Sequence, residues 1–324
     1  MVTIKDVAER AGVTVTTVSR VLNNRGYISQ STRERVHQVM KEMHYQPNEI
    51  ARSLSRKRSM ILGLIIPTIS HPFFSELTHH IENYASSKGY KILICNSRMN
   101  KKKEKEYLDM LRSNRVDGVI MCSHTLEVEE YVKMQQRIVT FDRRIANIPY
   151  VASDNYASGV MAAELLLKRG CKQPAHICGN LSLDMLANRR TEAFMATISK
   201  QGLQPILLQL EPDVFDYTFH KEKIYELLQE HPDIDGLFIS GDIIAIHAIH
   251  VCKQLGISIP DQMKIIGYDD IHFASLMNPS ITTIRQPTER MARKIVDLLD
   301  ELANGNEVML DNIFPVQLIE RATT

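Results

Sequence analysis

From Met60 onward the chain repeats one arrangement: a short apolar run, then a helix-length stretch mixing polar and apolar residues. The runs are ILGLII, YKILIC, DGVIMC, RIVTF, AHIC, PILLQL, DGLFIS and MKIIG. Such runs are too short for buried helices and too continuous for strands with one wet face. They therefore read as strands buried on both faces of a parallel sheet. Parallel pairing needs crossover connections, and the intervening segments, Phe73 to Lys88 among them, supply helices of the right length. This predicts a doubly wound α/β body. Spanning residues 59–324, it exceeds one such unit, so two similar lobes with a cleft between them are expected.

The first 46 residues follow another rule. Residues 1–58 hold eleven Lys and Arg against five Asp and Glu, although the whole chain of 324 residues has a net charge of only +1. Three helical patterns run from Ile4 to Ala11, from about Val15 to Leu22 and from about Thr32 to Met43. Thr3 with Asp6 has capping-box spacing, Thr14 with Thr17 is a version lacking the acid, and Ser29 stands ahead of the third helix. Gly12 falls where the first helix must stop. The short turn it leaves before the second makes a helix-turn-helix. The second helix, VTTVSRVL, is rich in β-branched and hydroxyl side chains, which helix propensity disfavours. Its composition suits a major groove: hydroxyls reach phosphates and base edges, and Arg20 meets guanine or phosphate. Val18, Val21 and Leu22 are expected to face Val7, Ala8, Val36 and Met40 in a three-helix core.

Between these parts lies residues 47–58, PNEIARSLSRKR. Pro47 ends the third helix, and Asn48 is placed to cap a short helix from about Glu49 to Ser55. A helix this short is marginal in water without a partner.

Other classes of function find little support. The longest apolar run near the N-terminus, Met60 to Ile66, is far below the roughly 20 residues of a membrane span, so no membrane association and a cytoplasmic protein are expected. Cys95, Cys122, Cys171, Cys178 and Cys252 stand apart, as buried thiols rather than disulfides or zinc ligands. GLFISGD has the glycine spacing of a phosphate loop but lacks the Lys and Ser/Thr that follow, and no G-x-G or G-x-S-x-G occurs. His79-His80 and His247-His250 lack a neighbouring acid. No metal, no cofactor and no catalytic residue is assigned, and an enzyme is not expected. A sugar-binding transport receptor shares the two-lobe body but not a basic helical start.

IKDVAERAGVTVTTVSRVLN, followed by STRERV, YQPNEIARSL, IIGYDD and TTIRQP, resembles the lac-repressor (LacI/GalR) family over essentially the whole chain. The resemblance implies a sequence-specific repressor of a sugar-utilisation operon, bound to double-stranded operator DNA as a homodimer, with a tetramer possible. The absence of a heptad tail before Thr324 favours the dimer. It implies that Val15 and Thr16 read bases with Arg20 one turn on, that Thr14, Thr17 and Ser19 position the backbone, and that Asn23 joins this face. Leu54 becomes the wedge of a hinge helix in the minor groove. A small sugar effector is implied between the lobes, at Phe73, Asp142, Arg143, Asp154, Arg190, Asp242 and Asp270, with release of the operator on binding. Carboxylates accept from vicinal hydroxyls, an arginine fork donates, and an aromatic face covers C–H edges. ICNSRMNKKKEKEYLDML, FDRR and IPYVASDNYASGV are most similar to the sucrose-operon branch, with the ribose-type branch second, so sucrose or a fructose-containing sugar is the expected effector. Gly241 and Ala193 depart from common family residues.

Overall fold

The computed structural model describes residues 2–46, 58–126, 128–132, 137–182, 184–210 and 217–324. Residues 47–57, with the expected helix from Glu49 to Ser55 and Leu54, lie outside the described residues. Contacts divide the chain into two units, Met1–Met60 and Ile61–Thr324.

The first unit holds α1 (Ile4–Arg10), α2 (Val15–Leu22) and α3 (Gln30–Glu42). Each begins at a side chain that satisfies an otherwise orphaned backbone N–H. Thr3 and Asp6 form a reciprocal capping box, Thr14 Oγ1 accepts from Thr17 N at 3.1 Å, and Ser29 Oγ accepts from Thr32 N at 3.3 Å. The third helix starts two residues earlier than Thr32 because Ser29 caps it directly, leaving Gln30 and Ser31 in its first turn. Gly12, at φ +62°, makes the left-handed step after α1 that a side chain would resist. The core is small: Val7, Ala8, Ala11, Val18, Val21, Val36 and Val39 are buried, with Leu22 and Met40 packed partly against them.

The second unit contains two sheets of six strands. The N-terminal lobe is built from β1 (Ile61–Ile66), β2 (Lys91–Asn96), β3 (Gly118–Met121), β4 (Ile138–Phe141), β5 (Tyr150–Ser153) and, from far downstream, β11 (Asp311–Phe314). The C-terminal lobe uses β6 (Pro174–Cys178), β7 (Ile206–Gln209), β8 (Gly236–Ile239), β9 (Lys264–Asp269), β10 (Thr282–Arg285) and β12 (Gln317–Ile319). Their orders are β2-β1-β3-β4-β5-β11 and β7-β6-β8-β9-β10-β12, the same winding twice. Helices α4 (Pro72–Ser87), α5 (Lys101–Ser113), α6 (Val128–Val132) and α12 (Thr288–Ala303) belong to the first lobe. The second has α7 (Asn155–Lys168), α8 (Asn188–Ser199), α9 (Tyr217–Glu230), α10 (Asp242–Leu255) and α11 (His272–Leu276). The chain crosses between lobes after β5, after β10 and between β11 and β12.

Each lobe has its own core. Ile65, Leu111, Met121 and Tyr131 are among the buried residues of the first, and Leu166, Phe194, Phe238 and Tyr268 among those of the second. All eight expected strands form, with two qualifications. β2 and β7 are edge strands, so part of each stays exposed rather than buried on both faces. β12 pairs antiparallel to β10, so the second sheet is mixed. β5, β10, β11 and β12 were not among the expected strands. Tyr150-Val-Ala-Ser, Thr-Thr-Ile-Arg and Asp-Asn-Ile-Phe are too short or too polar to stand out as apolar runs. Among the described residues no helix is long and apolar enough to cross a membrane.

Candidate functional site

In the first unit, the three-helix core fixes which face of α2 remains outside. Val18 and Val21 are buried, which turns Val15, Thr16 and Arg20 outward and leaves Thr17, Ser19 and Asn23 half-buried beside them. Val15, Thr16, Ser19, Arg20 and Asn23 line one shallow hollow together with Arg25, a cation outside the expected contacts. Thr14 and Thr17 are bonded to each other, Oγ1 to Oγ1 at 2.9 Å, and Asn23 Nδ2 donates to Ser19 Oγ at 3.4 Å. The surface thus offers hydroxyls held in place and two guanidinium groups, with one apolar reader at its start. Such a set reaches phosphates and base edges.

In the second unit, a cleft of about 240 Å³ opens between the lobes, beyond the carboxyl ends of β1, β3, β4, β8 and β9. This is where doubly wound sheets place ligands, because side chains beyond strand ends are not consumed by packing. Phe73, Phe74 and Phe141 form an aromatic corner, with Phe73 edge-on to Phe74 at 5.3 Å and 5.8 Å from Phe141. Asp142 follows β4 with φ +58°, and Asp269 ends β9 with φ +104°. Two non-glycine residues in this region of backbone space at one site are the kind of strain that clusters where ligands are held.

Arg190 organises the polar wall. Its Nε donates to Asn155 Oδ1 at 2.9 Å, its Nη1 to the Ser240 carbonyl at 3.3 Å, and its guanidinium lies 3.6 Å from the centre of the buried Tyr268 ring. Asn155 in turn donates to Asp142 Oδ1 at 2.7 Å. Gly159 explains why Arg190 stands there: α7 presses so closely on α8 that a Cβ on Gly159 would collide with the Arg190 carbonyl oxygen. At the crossover after β10, Gln286 Nε2 donates to Asp269 Oδ1 at 2.7 Å, and Gln286 Oε1 accepts from Ser153 Oγ at 2.6 Å.

Burial raises the Asp142 carboxyl to about 6, while the Arg190 charge and the Asn155 hydrogen bond oppose the shift. Asp269 rises well above the usual carboxylate range, through burial first and the nearby Asp242 second. His71 and His124, also in the wall, are lowered by burial to about 4 and about 3, so both are neutral near pH 7.

Of the seven residues expected at the effector, Phe73, Asp142 and Arg190 meet in this cleft. The other four are held elsewhere, and each sits beside a residue that lines the cleft or is bonded to one that does. Arg143 is buried within the first lobe, donating through Nη1 to the His124 and Leu126 carbonyls. Asp154 caps α7, accepting from Ala157 N at 2.9 Å, whereas Asn155 carries the contact to Arg190. Asp242 is fully buried and accepts from Thr283 Oγ1 at 2.7 Å and Ile271 N at 2.9 Å, with its pKa raised by burial to about 7. Gly267 leaves room for that carboxylate, which a Cβ would strike. Asp270 pairs with Arg285 at 2.6 Å and Arg321 at 2.7 Å, leaving Asp269 to the cleft. Among the described residues no group of His, Cys, Asp or Glu has the arrangement of a metal site.

A helix-turn-helix unit joined in one chain to a two-lobed body of periplasmic-binding-protein type defines the class: a DNA-binding regulator with a ligand cleft. Comparison with known proteins agrees at both ends of the chain. Residues 3–48 match the model for bacterial regulatory proteins of the lacI family, and residues 163–324 match that for a periplasmic binding protein-like domain. The chain is 41% identical to a sucrose operon repressor of Streptococcus mutans, over 98% of this chain and 97% of that protein. A lac repressor dimer bound to operator and the anti-inducer ONPF superposes with a TM-score of 0.88 at 26% identity, covering 99% of this chain and 98% of that one. A periplasmic binding protein/LacI transcriptional regulator from Alkaliphilus metalliredigens complexed with D-xylulofuranose gives 0.74 at 35% identity, covering 82% of this chain and 99% of that one. The chain belongs to the lacI family of bacterial regulatory proteins.

Proposed function

We propose that this protein represses a sugar-utilisation operon: a homodimer holds a pseudo-palindromic operator through two α2 faces and releases it when a small sugar occupies the cleft. The observation that carries the reading is the pairing, within one chain, of an outward hydroxyl-and-arginine helix face with an aromatic-lined cleft rich in acceptors. Neither feature suits catalysis; both suit recognition. The likeness to a sucrose operon repressor and to a regulator complexed with a furanose favours sucrose or another fructose-containing sugar as effector. Phe73, Asp142 and Arg190 are its central contacts, with the aromatic corner against C–H faces and the polar wall against hydroxyls. Operator contacts fall to Val15, Thr16 and Arg20 for bases and to Thr14, Thr17, Ser19 and Asn23 for the backbone. The protein acts in the cytoplasm, where its operator lies.

The test is selection of duplexes from a random library by the full chain, with sedimentation to give the oligomer. Half-sites about 34 Å apart, bound with an affinity that falls steeply as salt rises, are expected. Recovery of random sequence would refute a specific repressor.

A further inference from the structure

His124 was not among the expected site residues, yet buried side chains on both sides hold the segment that carries it. Glu104 on α5 is fully buried and accepts hydrogen bonds from Ser123 Oγ at 2.6 Å, Tyr131 OH at 2.7 Å and Thr125 Oγ1 at 2.9 Å. Arg143 holds the same segment from the other side through the carbonyls of His124 and Leu126. His124 is 4% exposed, and its Nε2 stands 2.6 Å from the Phe141 carbonyl oxygen. A carbonyl only accepts, so Nε2 carries the proton and Nδ1 is a bare acceptor. Nδ1 is itself buried and has no hydrogen-bond partner among the described residues, and His124 is one of the residues that line the cleft. A buried acceptor left open is destabilising until something donates to it.

The rest of the polar wall points to the same kind of ligand. Asp142 and Asp269 present carboxyl oxygens, and the Gln286 amide nitrogen is already committed to Asp269. Arg190 is the only cation among the described lining residues once the two histidines are neutral. Its charge is matched by the Asp142 carboxylate, which burial raises only to about 6, so none is left over for a phosphate dianion, and Asp269, raised well above the usual carboxylate range, adds no charge of either sign.

Building on the sugar-effector reading above, we propose that the cleft takes an uncharged, hydroxyl-rich sugar, one hydroxyl of which donates to Nδ1 of His124, and that it refuses the phosphate ester of the same sugar. A phosphate brings two negative charges to a wall of acceptors and has few protons to give. His124 is thus a specificity-determining residue for the effector, with Glu104 and Arg143 as positioning residues behind it.

Calorimetric titration of the full chain with sucrose, fructose, sucrose 6-phosphate and fructose 6-phosphate tests this, alongside His124→Phe and His124→Asn. A free sugar is expected to bind at least tenfold more tightly than its ester. His124→Phe keeps the ring and removes the acceptor, and it should weaken that sugar at least tenfold. His124→Asn, with an amide oxygen in place of Nδ1, should stay within about threefold of the parent. Unchanged affinity for selected operator DNA in both variants verifies that they fold. If the ester binds as tightly as the sugar, or if His124→Phe binds sugar like the parent, the proposal is overturned while the repressor reading stands. If neither sugar nor ester binds, both are overturned.

Discussion

The two units satisfy their polar groups in opposite ways. In the helix-turn-helix unit the bonded hydroxyls are held by residues three or four positions away: Thr14 by Thr17, Ser19 by Asn23, Ser29 by Thr32. In the body the partners lie far apart in sequence, with Ser153 bonded to Gln286 and Arg190 to Asn155 and Ser240. A local network needs only a helix to exist. A distant one exists only when two lobes and three crossovers are correctly assembled, which lets a ligand at the cleft report on the arrangement of the whole body.

The sharpest way to break this comparison is to remove the small core. Val36→Asp puts a charge among six other buried residues, at a cost of several kcal/mol that a core of this size cannot absorb. Operator binding should fall more than a hundredfold while sugar still shifts the melting of the body. A variant that loses both would show that the units do not fold independently.

Gly159→Ala attacks the distant network. The added methyl meets backbone rather than a yielding side chain, so a loss of about 2–3 kcal/mol in body stability by urea unfolding is expected, together with weakened sugar binding. Unaltered stability would mean that α7 and α8 can move apart freely.

Arg20→Ala tests the reading face with both cores intact. Loss of about 1–3 kcal/mol of operator affinity, confined to operators with guanine at one position, is expected from a bidentate contact. An equal loss on every duplex would make Arg20 a phosphate contact.

The smallest effect concerns pH, where the units differ in sign. Asp142 titrates near 6 in the fold against 3.8 as a free carboxyl, because burial disfavours its charge. The native state then holds its proton longer, so this group's contribution is fully present below about pH 4 and is lost as pH rises through about 6. Asp6, in the capping box, is lowered by the Thr3 hydrogen bonds, so its contribution is present above the free value and lost on acidification. Asp142→Asn should therefore flatten, by about 1 kcal/mol, the decline in body stability between about pH 5 and 7. An unchanged slope would contradict the buried-carboxyl account.

The same contrast explains what could be read from the sequence. Caps, helix faces and the turn at Gly12 were legible because their causes lie within four residues. Eight strands were legible because burial on both faces leaves an apolar run. The cleft was legible only to within one residue. Asp142 stood out beside Arg143, but Asp154 hid Asn155, Asp270 hid Asp269, and Asp242 hid Ser240 and Gly241 before it. Which of two adjacent polar residues turns to the cleft is set by the backbone at the strand end, such as φ +104° at Asp269 and +57° at Asp270. No periodicity records that. His124 and Gln286 were missed because their roles depend on Phe141, Asp269 and Ser153, residues they meet only in the folded lobes.

The central claim is that cleft occupancy governs the grip of the α2 faces on DNA. It is tested most directly by the operator affinity of the full chain, from fluorescence anisotropy on a selected duplex, with and without saturating sucrose or fructose. Coupling of about 1.4 kcal/mol or more predicts an operator Kd at least tenfold weaker with one of these sugars, and no change in Arg190→Ala, which binds operator normally without it. A Kd that is unchanged by either sugar, or that tightens, would contradict the account.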